Sequence, residues 1–340
     1  MRPFSLTISL DDERSRQLRA RVRRAMELAD RSATPIEAQF LARELARDIA
    51  RDTFGGGLLA TARGHLKHGG IVLWSGLPTQ DTPPSDVARD TLTFGQCMAA
   101  VIAQATTRSF GFLQEDGGRH FQRLYPVPGT VNSGKTPEPL LPHLDNAMLA
   151  PAAQPEVIHL VCVNNDARTS TIFLSIGAVR RGLREGFESR VVDRLFEPAY
   201  VTALSNSFVA DPSSKAITTR PRPILYPKGG RGAAVRFLGK GYDMAIPQDI
   251  DHRGEYEHAL AAYQHVLRER QDLAHAITPL PGQAISFNQQ RLLHGRGSIT
   301  LGKYREMVRA YGRFDFSELI ARVGHAPPRY IFDGIQLVDR

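Results

Sequence analysis

The sequence predicts a β-sandwich or barrel core decorated by helices, on three observations. From about residue 120 onward, short apolar runs alternate with Gly and Pro turns. Helical patterning is concentrated before residue 70 and recurs later only in isolated stretches. No internal repeat, low-complexity segment or boundary between two independent domains interrupts the 340 residues, and the texture is not that of a doubly wound parallel sheet.

Taken in order, residues 11–65 read as helical. Asp11 and Asp12 are N-cap candidates, Leu18, Val22, Met26 and Ala29 form an apolar stripe, and Phe40, Leu41, Leu45 and Ile49 mark a second amphipathic stretch. Gly55-Gly56-Gly57 and Gly69-Gly70 break the pattern, and neither run has dinucleotide-binding or P-loop spacing. Residues 71–74 predict a short buried strand, closed by the turn Ser75-Gly76-Leu77-Pro78. A Pro-rich connector at 78–84 leads to a helix over 85–107. Strand-like runs follow at 121–126, 157–163, 171–175, 200–204, 223–226, 233–238, 283–287 and 307–311, with short helices near 176–196 and a long one over about 254–276.

Composition excludes several classes. With 42% hydrophobic and 23% charged residues the chain can bury a sizeable core, so it is neither a coiled coil nor a disordered tail. Two cysteines, Cys97 and Cys162, are too few for a disulfide framework or an all-thiolate metal site. No apolar run approaches the ~18 residues of a membrane span, and Met1-Arg2-Pro3-Phe4-Ser5 lacks a leader-like apolar core, so a soluble, cytoplasmic protein is expected. The net charge of +8 invites a polyanion reading. Its densest cluster, Arg14, Arg16, Arg19, Arg21, Arg23 and Arg24, shares a helix with the first apolar stripe and has no interleaved aromatics, so a solvated face is expected and nucleic acid is not.

The chemistry concentrates in Pro142-His143-Leu144-Asp145-Asn146. Residues i and i+2 of a strand point to one side, so His143 and Asp145 can offer a nitrogen and an oxygen to one ion. With 11 histidines and 35 acidic residues about one such triplet is expected by chance, and this is the only one in the chain. His294 lies downstream in the segment Phe287-Asn288-Gln289-Gln290-Arg291-Leu292-Leu293-His294-Gly295-Arg296, directly after an apolar strand. Two histidines and one carboxylate leave one face of the ion open, as in the facial triad of non-haem Fe(II) oxygenases; zinc serves hydrolytic sites with a similar set. Arg305 and Arg309 follow and share a strand face, which suits a carboxylate-bearing small molecule.

Together with the entry strand Gly70-Ile71-Val72-Leu73-Trp74-Ser75-Gly76-Leu77-Pro78 and Thr171 at its spacing from the first histidine, this ordered set resembles the TauD and clavaminate-synthase-like superfamily of Fe(II)/2-oxoglutarate dioxygenases over about residues 70–315. The resemblance implies an α+β fold with a mainly β core, a double-stranded β-helix (jelly roll) decorated by outer helices and preceded by a helical N-terminal region. The implied division is a helical extension at 1–69, the oxygenase core at 70–316 with a lid candidate at 205–232, and a C-terminal tail at 317–340. His143, Asp145 and His294 would hold Fe(II). Arg305 and Thr171 would bind the distal carboxylate of 2-oxoglutarate, and O₂ would be the second co-substrate. Arg309, with neighbouring Arg313, would face a carboxylated substrate; Gln114, Glu115 and Asp116, just before the strand at 121–126, read either as a surface loop or as groups for the substrate amine. Relatives usually carry Glu at the Asp145 position, and their asparagine-arginine pair appears here as Asn288-Gln289-Gln290-Arg291.

The implied reaction is hydroxylation, or a related oxidation such as desaturation, of an amino acid or carrier-bound amino acid in secondary metabolism; a carboxylate at Asp145 argues against halogenation. A homo-oligomer is compatible with the sequence. Two other readings are a non-catalytic jelly-roll binding or regulatory protein and an oxygenase acting on nucleic acid. Outside the site, His65, His68, His258 and His265 read as surface residues, His159 as a core or pocket histidine with its partners satisfied, and Cys162 as buried and inert.

Overall fold

The computed structural model describes residues 5–32, 34–79, 91–127, 135, 137–203, 208, 218–226, 244–300 and 302–339. Helix α1 (Asp12–Ala29) starts where Asp11 accepts from the Arg14 N–H. Helix α2 (Pro35–Phe54) is capped by Thr34, has Pro35 in its first turn, and stops at Gly55, whose φ of +76° is open to glycine at little cost. Helix α3 (Gly56–Lys67) follows at once. Helix α4 (Phe94–Thr106) begins with a reciprocal capping box between Thr93 and Gln96. Helices α5 (Ile176–Gly186), α6 (Ser189–Arg194), α7 (Arg253–Glu269) and α8 (Ser317–Val323) complete the α-helices among the described residues.

The strands are β1 (Ser5–Ser9), β2 (Ile71–Ser75), β3 (Arg108–Phe112), β4 (Phe121–Leu124), β5 (Leu140–His143), β6 (Val157–Asn165), β7 (Thr171–Ser175), β8 (Val201–Thr202), β9 (Met244–Ala245), β10 (His275–Ile277), β11 (Ala284–Asn288), β12 (Leu292–Arg296), β13 (Arg305–Arg313) and β14 (Ile331–Phe332). The larger sheet has the order β1-β2-β11-β6-β13-β3-β14, with β4 also paired to β13; the smaller has the order β10-β7-β12-β5. Pairing is antiparallel except for β1 with β2 and β3 with β14.

Strand alternation sorts the side chains into layers. Ile158, Leu160 and Cys162 of β6 join Phe173, Phe287, Leu292 and Met307 in the core between the two sheets. The intervening Val157 and Val161, with Val308 and Ala310 of β13, face a second core built with Leu18, Val22, Ala42, Ala46, Met98 and Ile102 of α1, α2 and α4. Leu174 and Leu293, on the far side of the smaller sheet, pack with Val179, Leu183, Tyr263 and Leu267 of α5 and α7. Helices therefore cover the outer face of each sheet, and the site lies between the sheets.

One polar chain crosses this packing. Trp74 Nε1 donates to Ser286 Oγ (2.9 Å), which meets His159 Nδ1 (2.8 Å), and His159 Nε2 meets Thr107 Oγ1 (2.9 Å). Burial pushes the His159 imidazole down to about 3, so the ring is neutral. This is the satisfied core histidine expected from the sequence. Cys162 and Cys97 are buried free thiols, and burial pushes the Cys162 thiol up to about 12.

The structure departs from the sequence reading at several elements. The helix expected over 254–276 ends at Glu269, and residues 275–277 form β10. Among the described residues the runs at 200–204 and 223–226 give only the short β8 and the isolated bridges Tyr200–Arg222 and Ala203–Thr218. Most of the lid candidate at 205–232, and the run at 233–238, lie outside the described residues.

Candidate metal centre

His143 closes β5 and His294 lies in the middle of β12, and the antiparallel register sets the two directly opposite each other. The close approach requires Gly295: a Cβ there would sit 2.6 Å from the Leu140 carbonyl oxygen of the facing strand. The two imidazole centroids are 4.4 Å apart. Asp145 lies just past the end of β5 and turns Oδ1 toward both rings, 3.4 Å from His143 Nε2 and 3.7 Å from His294 Nε2. The three donor atoms lie within 4.8 Å of one another.

This donor set fits a divalent transition ion. Ligand atoms ~2.1 Å from one ion, at right angles, are about 3 Å apart, and the two carboxylate–imidazole distances of 3.4 and 3.7 Å lie close to that spacing. His143 Nδ1 is engaged by the Leu141 carbonyl (2.8 Å), which leaves the Nε2 lone pair facing the centre. Burial, His143 and Arg309 push His294 down to about 3, so its ring is the neutral form that ligates. Burial disfavours a charged Asp145, but Arg309, with His294 and His143, outweighs it and holds the carboxyl well below the usual range. The Phe287 ring packs 5.0 Å from His294 and closes the inner side of the site.

The three groups open on a cleft that also takes in Thr171, Arg296, Arg305, Met307 and Arg309. Arg305, Met307 and Arg309 alternate along one face of β13, as the strand period demands. Arg305 is 5% exposed, its Nη2 lies 3.5 Å from Thr171 Oγ1, and its Nε is buried without a hydrogen-bond partner among the described residues. Burial and the nearby Arg296 push its guanidinium down to about 10, so it remains a cation at neutral pH. A buried cation with no carboxylate beside it among the described residues is able to take an anion.

Arg309, four residues beyond Arg305 along β13, meets Asp145. Its Nη1 donates to Asp145 Oδ2 (2.7 Å), its Nη2 to Gln122 Oε1, and Glu115 Oε1 lies 3.6 Å away. The Tyr311 ring lies under the guanidinium at 4.5 Å, and the Tyr311 hydroxyl donates to Glu115 (3.3 Å) and Asp145 (3.4 Å). Burial raises the Glu115 carboxyl, an effect opposed by Arg309.

The structure thus brings His143, Asp145, His294, Thr171, Arg305, Arg309 and Glu115 together. It does not bring Gln114, whose amide donates to Asp333 and accepts from the Gly334 N–H and so ties β3 to the C-terminal segment. Asp116 opens a short helical turn and pairs with Arg119, and Arg313 is spent on the carbonyls of Gln154 and Asp315. Gln122 and Tyr311 are functional neighbours the sequence reading missed. The two-residue step from Arg309 marked Tyr311, whereas Gln122 depends on the β4–β13 register.

No protein-family model and no curated protein matches the sequence. Solved structures do. An asparagine oxygenase in complex with Fe(II), 2S,3S-3-hydroxyasparagine and succinate superposes with a TM-score of 0.72 at 20% identity, covering 96% of this chain and 99% of that one. The non-haem iron oxygenase OrfP in complex with Fe, succinate and (3S)-hydroxy-L-Arg gives 0.67 at 17% identity, covering 97% and 100%. OrfP with Fe and α-ketoglutaric acid gives 0.64 at 17% identity, covering 96% and 99%. The chain has the fold of these non-haem iron oxygenases, the group to which its ordered motifs point.

Proposed function

We propose that the chain is an Fe(II)/2-oxoglutarate-dependent dioxygenase that hydroxylates an unactivated C–H bond of a small amino acid or amino-acid derivative. One observation carries the reading: a His143, Asp145 and His294 face opens on a cleft that holds a buried arginine, Arg305, with no carboxylate partner among the described residues. A site for a metal alone has no use for that cation, whereas a co-substrate that chelates the metal at one end and carries a second carboxylate at the other needs it. The products and co-substrates held in the structurally similar oxygenases support the reading: succinate, α-ketoglutaric acid and hydroxylated free amino acids.

His143, Asp145 and His294 would hold Fe(II), and Arg305 with the Thr171 hydroxyl would anchor the distal carboxylate of 2-oxoglutarate. With O₂, the bound iron and 2-oxoglutarate supply the oxidising chemistry, giving succinate and CO₂ as the target carbon is hydroxylated. Arg309 would pair with the substrate carboxylate, while Glu115 would accept from its amine and so orient the carbon to be oxidised. Leu124, Leu160 and Met307 line the cleft and exclude water.

The two sheets are read as the halves of a double-stranded β-helix, with residues 1–69 as a helical extension on a core at 70–316 and residues 317–340 as a tail. The test is spectroscopic. Under anaerobic conditions Fe(II) plus 2-oxoglutarate should give a visible charge-transfer band, which His143→Ala abolishes; an unchanged band in that variant sinks the ligand assignment. Aerobic incubation with single amino acids, read as succinate release and a product heavier by one oxygen, then identifies the substrate.

A further inference from the structure

We infer that Gln289 is a positioning residue for the metal centre, acting on the main chain of Asp145. The inference deepens the reading above and rests on it.

The two histidines are placed by strand pairing, but Asp145 is not: β5 ends at His143, and Asn146 already has a φ of +56°. The peptide groups on either side of the ligand carboxylate therefore belong to no ladder and need partners elsewhere. Gln289 supplies both. Its Oε1 accepts from the Asp145 N–H (2.9 Å), and its Nε2 donates to the Asp145 carbonyl (3.3 Å) and to the Pro155 carbonyl (2.8 Å). The side-chain amide thus takes the place of a neighbouring strand's peptide group. It is itself 1% exposed, and its own N–H is tied to the Glu156 carbonyl (3.0 Å).

An aspartate has only two side-chain torsions, so its carboxylate follows its main chain closely. Gln289 stands in the turn between β11 and β12, five residues before His294, so one turn sets the height of both ligands. Gln154 provides an internal contrast. It is equally buried and donates to the Ala147 and Leu149 carbonyls of the same loop (3.2 and 2.9 Å), but has no bond to Asp145.

The test is anaerobic Co(II) titration, read by the visible bands of the bound ion, in the parent, Gln289→Met and Gln154→Met, with unfolding midpoints of each metal-free protein. Gln289→Met should weaken Co(II) binding by about 10- to 100-fold and change the band shape, as loss of an outer hydrogen bond to a ligand does. Gln154→Met should leave affinity and bands near those of the parent, even where it lowers the unfolding midpoint. Equal losses in the two variants, or unchanged binding in Gln289→Met, overturn the inference. If Gln289→Met does not fold, Gln289→Asn, one methylene too short to span both Asp145 groups, carries the same criterion. Failure of the parent to bind Co(II), or binding unaffected by His143→Ala, instead removes the metal-centre reading itself.

Discussion

Arg309 Nη1 lies 2.7 Å from Asp145 Oδ2, while Oδ1 of the same carboxylate faces His143 and His294. One oxygen is turned to the ligand centre and the other to a cation that also touches Gln122 and Glu115. The three-residue centre and the Arg309 side of the cleft therefore share a carboxylate. Arg309→Lys removes the planar two-sided fork. It should raise the KM for the amino-acid substrate by about tenfold or more while leaving the KM for 2-oxoglutarate near that of the parent. Equal rises in both constants would remove the assignment of Arg309 to the substrate.

Tyr311, Asn146 and Arg309 hold Glu115 in place, and in the proposed reaction it would accept from the substrate amine. Glu115→Gln should weaken an amino-acid substrate by about tenfold and have little effect on its des-amino analogue. The check is competition of the two compounds in parent and variant. An equal effect on both analogues would show that Glu115 acts on the site without meeting the amine.

Arg305 and Thr171 make a graded pair. Loss of a charged donor costs about 1.5–3 kcal/mol, so Arg305→Gln should raise the 2-oxoglutarate requirement by about 10- to 100-fold. Thr171→Val removes a neutral hydroxyl and should raise it by only about 2- to 10-fold. Steady-state kinetics at saturating amino acid reads both. Parental 2-oxoglutarate dependence in Arg305→Gln would empty the proposed subsite.

His159 makes stability depend on pH. Its folded value, about 3, lies below the 6.5 of an ordinary imidazole, so the unfolded chain binds the extra proton between those values. The stability is complete above pH 6.5 and is lost as pH falls toward 3. At pH 5 the loss amounts to about 2 kcal/mol. His159→Gln should be less stable than the parent at pH 7 but lose about 2 kcal/mol less between pH 7 and pH 5, as urea unfolding measures. An identical pH response in parent and variant would show that the acid sensitivity comes from other groups.

What could be read from the residues follows from the range of the interactions. His143 and Asp145, and Arg305 and Arg309, declare themselves by local spacing, and the helix caps at Asp11 and Thr93 obey rules that span three residues. The strand bearing His143 stayed hidden because it contains Pro142, and it is tolerated because β5 is the edge of the smaller sheet. β1 stayed hidden because it is only five residues long, with just Leu6 and Ile8 alternating against the exposed Thr7 and Ser9; its parallel pairing with β2 comes from the fold. The partners Gln122, Gln154 and Gln289 were beyond reach for the same reason. Each is defined by which strand or turn arrives opposite it, and glutamine has no spacing rule that announces this. Gln114 illustrates the converse: nearness in sequence to Glu115 placed it in the site, but it lies in the turn after β3, where its amide is taken up by Asp333 and the Gly334 N–H.

The His143–His294 pairing joins residues on β5 and β12, about 150 positions apart in the chain. A one-residue slip of β12 would turn His294 toward α5 and α7 and bring Leu293 or Gly295 to its place. Contacts of such long sequence separation close late in folding. The ligand set therefore comes into existence only once the smaller sheet has closed in register, and metal uptake can serve as a stopwatch for that closure.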